Sequence, residues 1–155
     1  MPNLLIFAPC EKAIIDRNGA LSIISVMGKL TVGVPANVPP PAANAMLPVQ
    51  WAMVSLWQQS SDWETGRTFE QRAALVAESG GNDLLTSIAV FQFTKENPLF
   101  QVVAQVSGMP VSIAGNLKFK IWVREKTEPP KEWKEAGSFP FVLEIQPMPP
   151  PPAVN

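Results

Sequence analysis

A chain of 155 residues, 46% hydrophobic and only 16% charged, has the length of one ordinary domain and enough apolar material for a single core. Its formal net charge of −1 and its lack of histidine and tyrosine leave no global field for nucleic acid or an anionic membrane. They also exclude Ser-His-Asp and Cys-His nucleophile systems, His-bearing zinc sites and His-based pH switches. A charged fraction well under the usual ~25% implies that some apolar surface meets a partner.

The opening run MPNLLIFAPCEK is too short and lacks the leading basic residues for a signal peptide, and it is far too short to span a bilayer. It reads as a first strand, Leu4 to Ala8, closed by Pro9. Cys10 is the lone cysteine, so it closes no disulfide within the chain and reads as a small buried hydrophobe. That fits a reducing compartment, and the expected location is cytoplasmic, with non-classical export left open. Asn18-Gly19 between apolar runs predicts a type I′ hairpin turn, and Ala20 to Val32 a long returning strand with Gly28 at a bulge or bend. The segment 33 to 48, GVPANVPPPAANAMLP, is too rich in proline to pair and predicts a long loop strapped over a sheet edge. VQWAMVSLWQQ, from Val49, is apolar on both alternating faces and predicts a strand covered on both sides.

Thr68 to Ser79 supports two readings. Thr68-Phe69-Glu70-Gln71 matches a helical capping box, whereas Phe69, Gln71, Ala73, Leu75 and Ala77 alternate as a strand does; continuity with neighbouring strands favours the strand. Leu84 to Phe93, rich in β-branched and aromatic residues, predicts a core strand. The clearest signal lies between Leu99 and Glu125. LFQVVAQVSG and GNLKFKIWVRE read as two strands joined by the loop 109–114 and paired side by side, at the middle of a sandwich. Leu117, Phe119, Ile121 and Val123 share one face; Lys118, Lys120, Trp122 and Arg124 share the other. Phe139 to Gln146 reads as a last strand, placed at an edge because Pro140 cannot donate to a ladder.

The predicted fold is all-β: a single antiparallel β-sandwich of about eight or nine strands in residues 1–146, followed by a proline-rich tail, 147–155. The order RTFEQRAALVAESG, a strand ending FTKEN, then GNLKFKIWVRE and SFPFVLEIQ resembles a family of uncharacterised small bacterial proteins with immunoglobulin-like β-sandwich folds, over roughly residues 3 to 146. The proline loop at 35 to 48 departs from that pattern, since such proteins cross there more briefly. The resemblance implies an immunoglobulin-like Greek-key fold and no activity.

No catalytic residue, metal ligand or cofactor stands out. Asp16, Asp62 and Asp83 fall in predicted turns, where Asp serves turn geometry, and Glu70, Glu78, Glu125 and Glu144 are expected on solvent faces. The candidate binding residues are Lys118, Lys120, Trp122 and Arg124, three cations interleaved with a ring that could grip an anionic ligand or single-stranded nucleic acid. The favoured expectation is a non-enzymatic module that binds a protein partner or itself, with Trp122 at the interface; an anionic-ligand binder comes second and an enzyme without imidazole chemistry third.

Overall fold

The computed structural model describes residues 1–35, 39, 42, 44–78, 80, 82–111 and 113–148. Among these residues nine strands run in chain order: β1 (Asn3–Ile15), β2 (Leu21–Val26), β3 (Lys29–Pro35), β4 (Met46–Gln58), β5 (Thr68–Ala77), β6 (Leu85–Gln92), β7 (Leu99–Pro110), β8 (Gly115–Glu125) and β9 (Lys134–Met148). One 3₁₀ turn, Asp62–Glu64, precedes β5. They form a four-stranded sheet, β2-β1-β4-β7, and a five-stranded sheet, β3-β9-β8-β5-β6. No helix among the described residues is long and apolar enough to cross a membrane.

Alternation along the strands sends Trp51, Met53 and Trp57 of β4 and Leu117, Phe119, Ile121 and Val123 of β8 into one core between the sheets. Aromatic rings interlock there: Trp51 meets Phe119 at 5.3 Å, and Phe91 stacks on Trp57 at 5.6 Å and on Phe100 at 5.4 Å. Offset and tilted contacts of this kind add specificity to the area that the rings bury. Residues 68–77 are strand β5, so the capping-box pattern is not used. Its alternation matched a two-sided sheet position between β8 and β6.

β4 is covered on both faces, as its composition requires. The first half of β1 pairs with β4 and its second half, from Cys10, with β2. The β1–β2 hairpin turns back over its own sheet, so that Ala13, Leu21 and Ile23 pack on Cys10, Ala52 and Val54, all three fully buried. Its tip is tied down where Gln101 Nε2 donates to the Gly19 carbonyl at 2.9 Å. The tip is not a two-residue type I′ turn. Gly19 has φ +80, but Asn18 stays at negative φ, because Asp16 Oδ1 accepts the Asn18 and Ala20 N–H groups, each at 2.8 Å, and closes a longer loop.

Several expectations are corrected. The predicted long strand after Asn18-Gly19 is two strands in different sheets, with Ser25 at φ +54 and the break at Met27-Gly28. β3 then runs parallel to β9, so the sandwich is not wholly antiparallel. β9 is therefore internal, and Pro140 is tolerated because β3 pairs only from Val142 onward. The two strands of Leu99–Glu125 are not a pair: β7 pairs with β4, β8 with β5 and β9. Each offers one apolar face, and the two faces meet through the core rather than side by side. Val34 and Pro35 lie in β3 and Met46 to Pro48 in β4, leaving a shorter connection than the predicted loop, and 36–38, 40, 41 and 43 lie outside the described residues. Pro147 and Met148 belong to β9, opposite Val34 and Pro35, while the rest of the predicted tail, 149–155, lies outside the described residues.

Candidate functional site

β8 carries Lys118, Lys120, Trp122 and Arg124 on the outer face of the five-stranded sheet, so the structure does bring the predicted row together. Each cation already has a carboxylate: Lys118 Nζ lies 2.9 Å from Glu78, Lys120 Nζ 2.9 Å from Glu135, and Arg124 Nη2 2.7 Å from Glu70. Next to them, Arg72 pairs with Asp83 and sets its guanidinium over the Trp122 ring, 4.9 Å from the centroid. Arg124 stacks on Trp133 at 4.3 Å. Hydrogen bonds from Arg124 to Glu70 and from Lys118 to Glu78 hold both carboxyls below the ordinary range. The row is thus a lattice of neutralised charges with its ring half-covered, which leaves little field for an anion.

Two carboxylates are buried, one against the sequence expectation and one outside it. Glu125, expected in solvent, is 4% exposed; the parity of β8 turns it inward at the strand end, where Lys131 and Arg67 meet it at 2.5 and 2.7 Å. Those bonds outweigh burial and lower its pKa. Glu64, overlooked in the sequence, is fully buried and meets the Met1 ammonium at 2.7 Å and the Ser60 N–H and hydroxyl at 2.9 and 2.8 Å. Burial alone would raise its pKa, but these partners together lower it. Asp16 caps its loop, Asp62 opens the 3₁₀ turn and Asp83 holds Arg72 and the Thr86 hydroxyl. Among the described residues no three metal-ligating side chains stand together. Cys10 is fully buried and its thiol pKa is raised by burial, the state of an inert core thiol.

The feature that remains is an edge. β6 was expected inside the core, yet it closes the five-stranded sheet, and among the described residues it pairs with β5 alone. Its inward Phe91 is 3% exposed, but its outward Ile88 and Val90 are 61% and 49% exposed. LTSIAVFQ holds no charge, proline or glycine, and its register against β5 is unbroken from Thr68–Gln92 to Leu75–Leu85. Among the described residues, β6 itself carries no lysine, no proline and no bulge that would blunt it as an edge. β7, the edge of the other sheet, borders the same side, as the Phe91–Phe100 stack shows. From Leu84 to Leu117 the only charged residues are Lys95 and Glu96, both in the turn between the two strands. That scarcity of charge was the available signal. By contrast, the β3 edge carries Lys29 and Gly33 and ends in Pro35.

No protein-family model matches the chain, and no curated protein matches it.

Proposed function

We propose that this protein is a non-enzymatic binding module that takes an extended polypeptide strand against the outer edge of β6. The observation that carries this reading is the unbroken, uncharged β6 edge with Ile88 and Val90 in water. An added strand would take main-chain hydrogen bonds from the edge, while its side chains would cover the two β-branched residues. The paired state of the Lys118, Lys120, Trp122, Arg124 row weighs against an anionic ligand, and the absence of imidazole together with the engagement of the buried acids weighs against an enzyme. The finer fold reading is immunoglobulin-like: β1, β4 and β7 correspond in order to strands A, B and E, and β6, β5, β8 and β9 to C′, C, F and G. On that reading β6 is the outermost strand of the larger sheet.

The test is retention on the immobilised protein, comparing the native chain with Val90→Lys and Ile88→Lys. Both positions are exposed, so the fold should survive, as circular dichroism would verify. Chains retained by the native protein should be lost from both variants. Retention that survives both lysines would remove the edge from the reading.

A further inference from the structure

The partner that fits this edge best is a second copy of the same chain. We infer that two molecules join β6 to β6 in antiparallel fashion about a twofold axis normal to the sheet, giving one continuous ten-stranded sheet; this rests on the strand-addition reading above.

Charge is the first reason. Under a twofold operator every charged group near the axis meets its own kind, so an isologous interface favours a patch with no charge at its centre. The β6 strand has none. A partner recognised by charge would need a complementary ion on this edge, and none is there.

Register is the second. Residues directly opposite in an antiparallel pair share a face, so the outward set Thr86, Ile88, Val90 and Gln92 must meet the same set in the copy. Placing Ala89 on the axis sets Ile88 against Val90 of the copy, twice, and Thr86 against Gln92, twice. Apolar meets apolar and polar meets polar, and both exposed β-branched side chains gain a neighbour. The alternative with Ile88 on the axis sets Thr86 against Val90 and matches less well. The alternate residues whose N–H and C=O groups point away from β5 would exchange about eight main-chain hydrogen bonds, comparable to the number in an ordinary interface. Flanking side chains also fit: the row beside Ile88 is Arg72, already neutralised by Asp83, so the approach brings no unpaired cation to the seam.

Sedimentation and light scattering across a concentration series test this directly. The native chain should reach dimer mass by roughly 100 µM, as a modest interface requires, and Val90→Lys and Ile88→Lys should be monomeric at that concentration, with melting midpoints equal to the native chain's once it too is diluted to monomer. Register is read by oxidising cysteine variants, since Cys10 is fully buried. Ile88→Cys mixed with Val90→Cys should give a disulfide-linked pair, while each alone gives little. Linkage of Ile88→Cys to itself would overturn the Ala89 axis, and a dimer indifferent to both lysines would overturn the β6 interface. A native chain that is monomeric at about 100 µM yet retains other chains in a lysine-sensitive way would overturn the second copy and leave strand addition standing. Monomer with no lysine-sensitive retention would overturn both.

Discussion

Trp57 of β4 donates its indole N–H to the side-chain carbonyl of Gln71 on β5 at 2.6 Å, a hydrogen bond that crosses the sandwich from one sheet to the other. The same Gln71 oxygen accepts the Ser55 hydroxyl at 2.6 Å, and all three side chains are at most 3% exposed. An apolar core sets the spacing of two sheets but not their slide along each other; a satisfied polar cluster within it admits one alignment. Gln71→Leu keeps the volume, leaves the Ser55 hydroxyl without its acceptor and leaves the Trp57 N–H only its longer contact to the Ser55 oxygen at 3.2 Å. It should cost about 2–4 kcal/mol in urea melts. Ser55→Ala on its own should cost roughly 1 kcal/mol, and the double variant should depart from the sum, since Ser55 both donates to the Gln71 oxygen and offers its own oxygen to Trp57. Additive losses would show that the cluster does not act as a unit.

Cys10 reports on the β1–β2 hairpin, because Ala13, Leu21 and Ile23 cover it. In the native protein it should react with a thiol reagent only when the hairpin lifts. Ile23 is partly buried, so Ile23→Ser removes only part of the about 1.5–3 kcal/mol that full burial of such a side chain carries, and labelling should accelerate severalfold if lifting is local. Gln101→Ala, which deletes the bond to the Gly19 carbonyl, should act in the same direction and more weakly. A labelling rate that tracks only global unfolding in both variants would mean that the hairpin does not open on its own.

The legible parts of this fold were those written in local period. Leu117, Phe119, Ile121 and Val123 face the core as their alternation requires, and β5 is a strand because its alternation outweighed a capping box. Pairing partners were not legible. β7 and β8 are adjacent in sequence and each has one apolar face, which is equally consistent with lying side by side and with facing each other through a core. The place of β6 was hidden for a related reason: its β-branched and aromatic content read as a core strand, whereas being last in the sheet is a property of the other strands. At the candidate site, the β8 row was legible as a face, but its neutralisation was not. Glu78 lies in the turn after β5 and Glu135 in β9, so only the fold brings them to Lys118 and Lys120. Glu125 was misplaced because its charge suggested solvent while its parity already pointed inward.

Acid should destabilise this protein without help from histidine. Glu125, Glu70 and Glu64 all have carboxyl pKa values lowered by bonded cations or donors, below the unfolded value of about 4.3. In that window the unfolded chain binds more protons, so this stabilisation is complete above about pH 4.3 and is lost as pH falls through the folded values. The denaturant midpoint should be flat from about pH 7 to pH 5 and then fall steadily. Glu125→Gln should lower the plateau, because Arg67 and Lys131 lose their shared carboxylate, and should make the acid limb shallower. An unchanged acid limb in that variant would mean that Glu125 contributes no linkage.

The neutralised row on β8 predicts what the native surface does not bind and how to make it bind. Lys118 and Lys120 are held by Glu78 and Glu135, both partly exposed, and the Trp122 ring lies under Arg72 and 6.0 Å from Lys120. A single strand of nucleic acid would therefore find neither free cations nor an open ring on which to stack. Titrating the native protein with a short single-stranded DNA at low salt should leave Trp fluorescence unchanged. Glu78→Gln with Glu135→Gln removes two negative charges, moving the formal net charge from −1 to −1 + 2 = +1, and frees both lysines while leaving the strands intact. That variant should gain weak binding whose logarithm falls with log salt at a slope of about −1.4, as two released counterions on a single strand require. Further replacement of Lys118 and Lys120 by Gln should abolish the gain. Native protein that already binds with this slope would show that the carboxylates do not hold the lysines in solution, and the row would then regain its standing as an anion site.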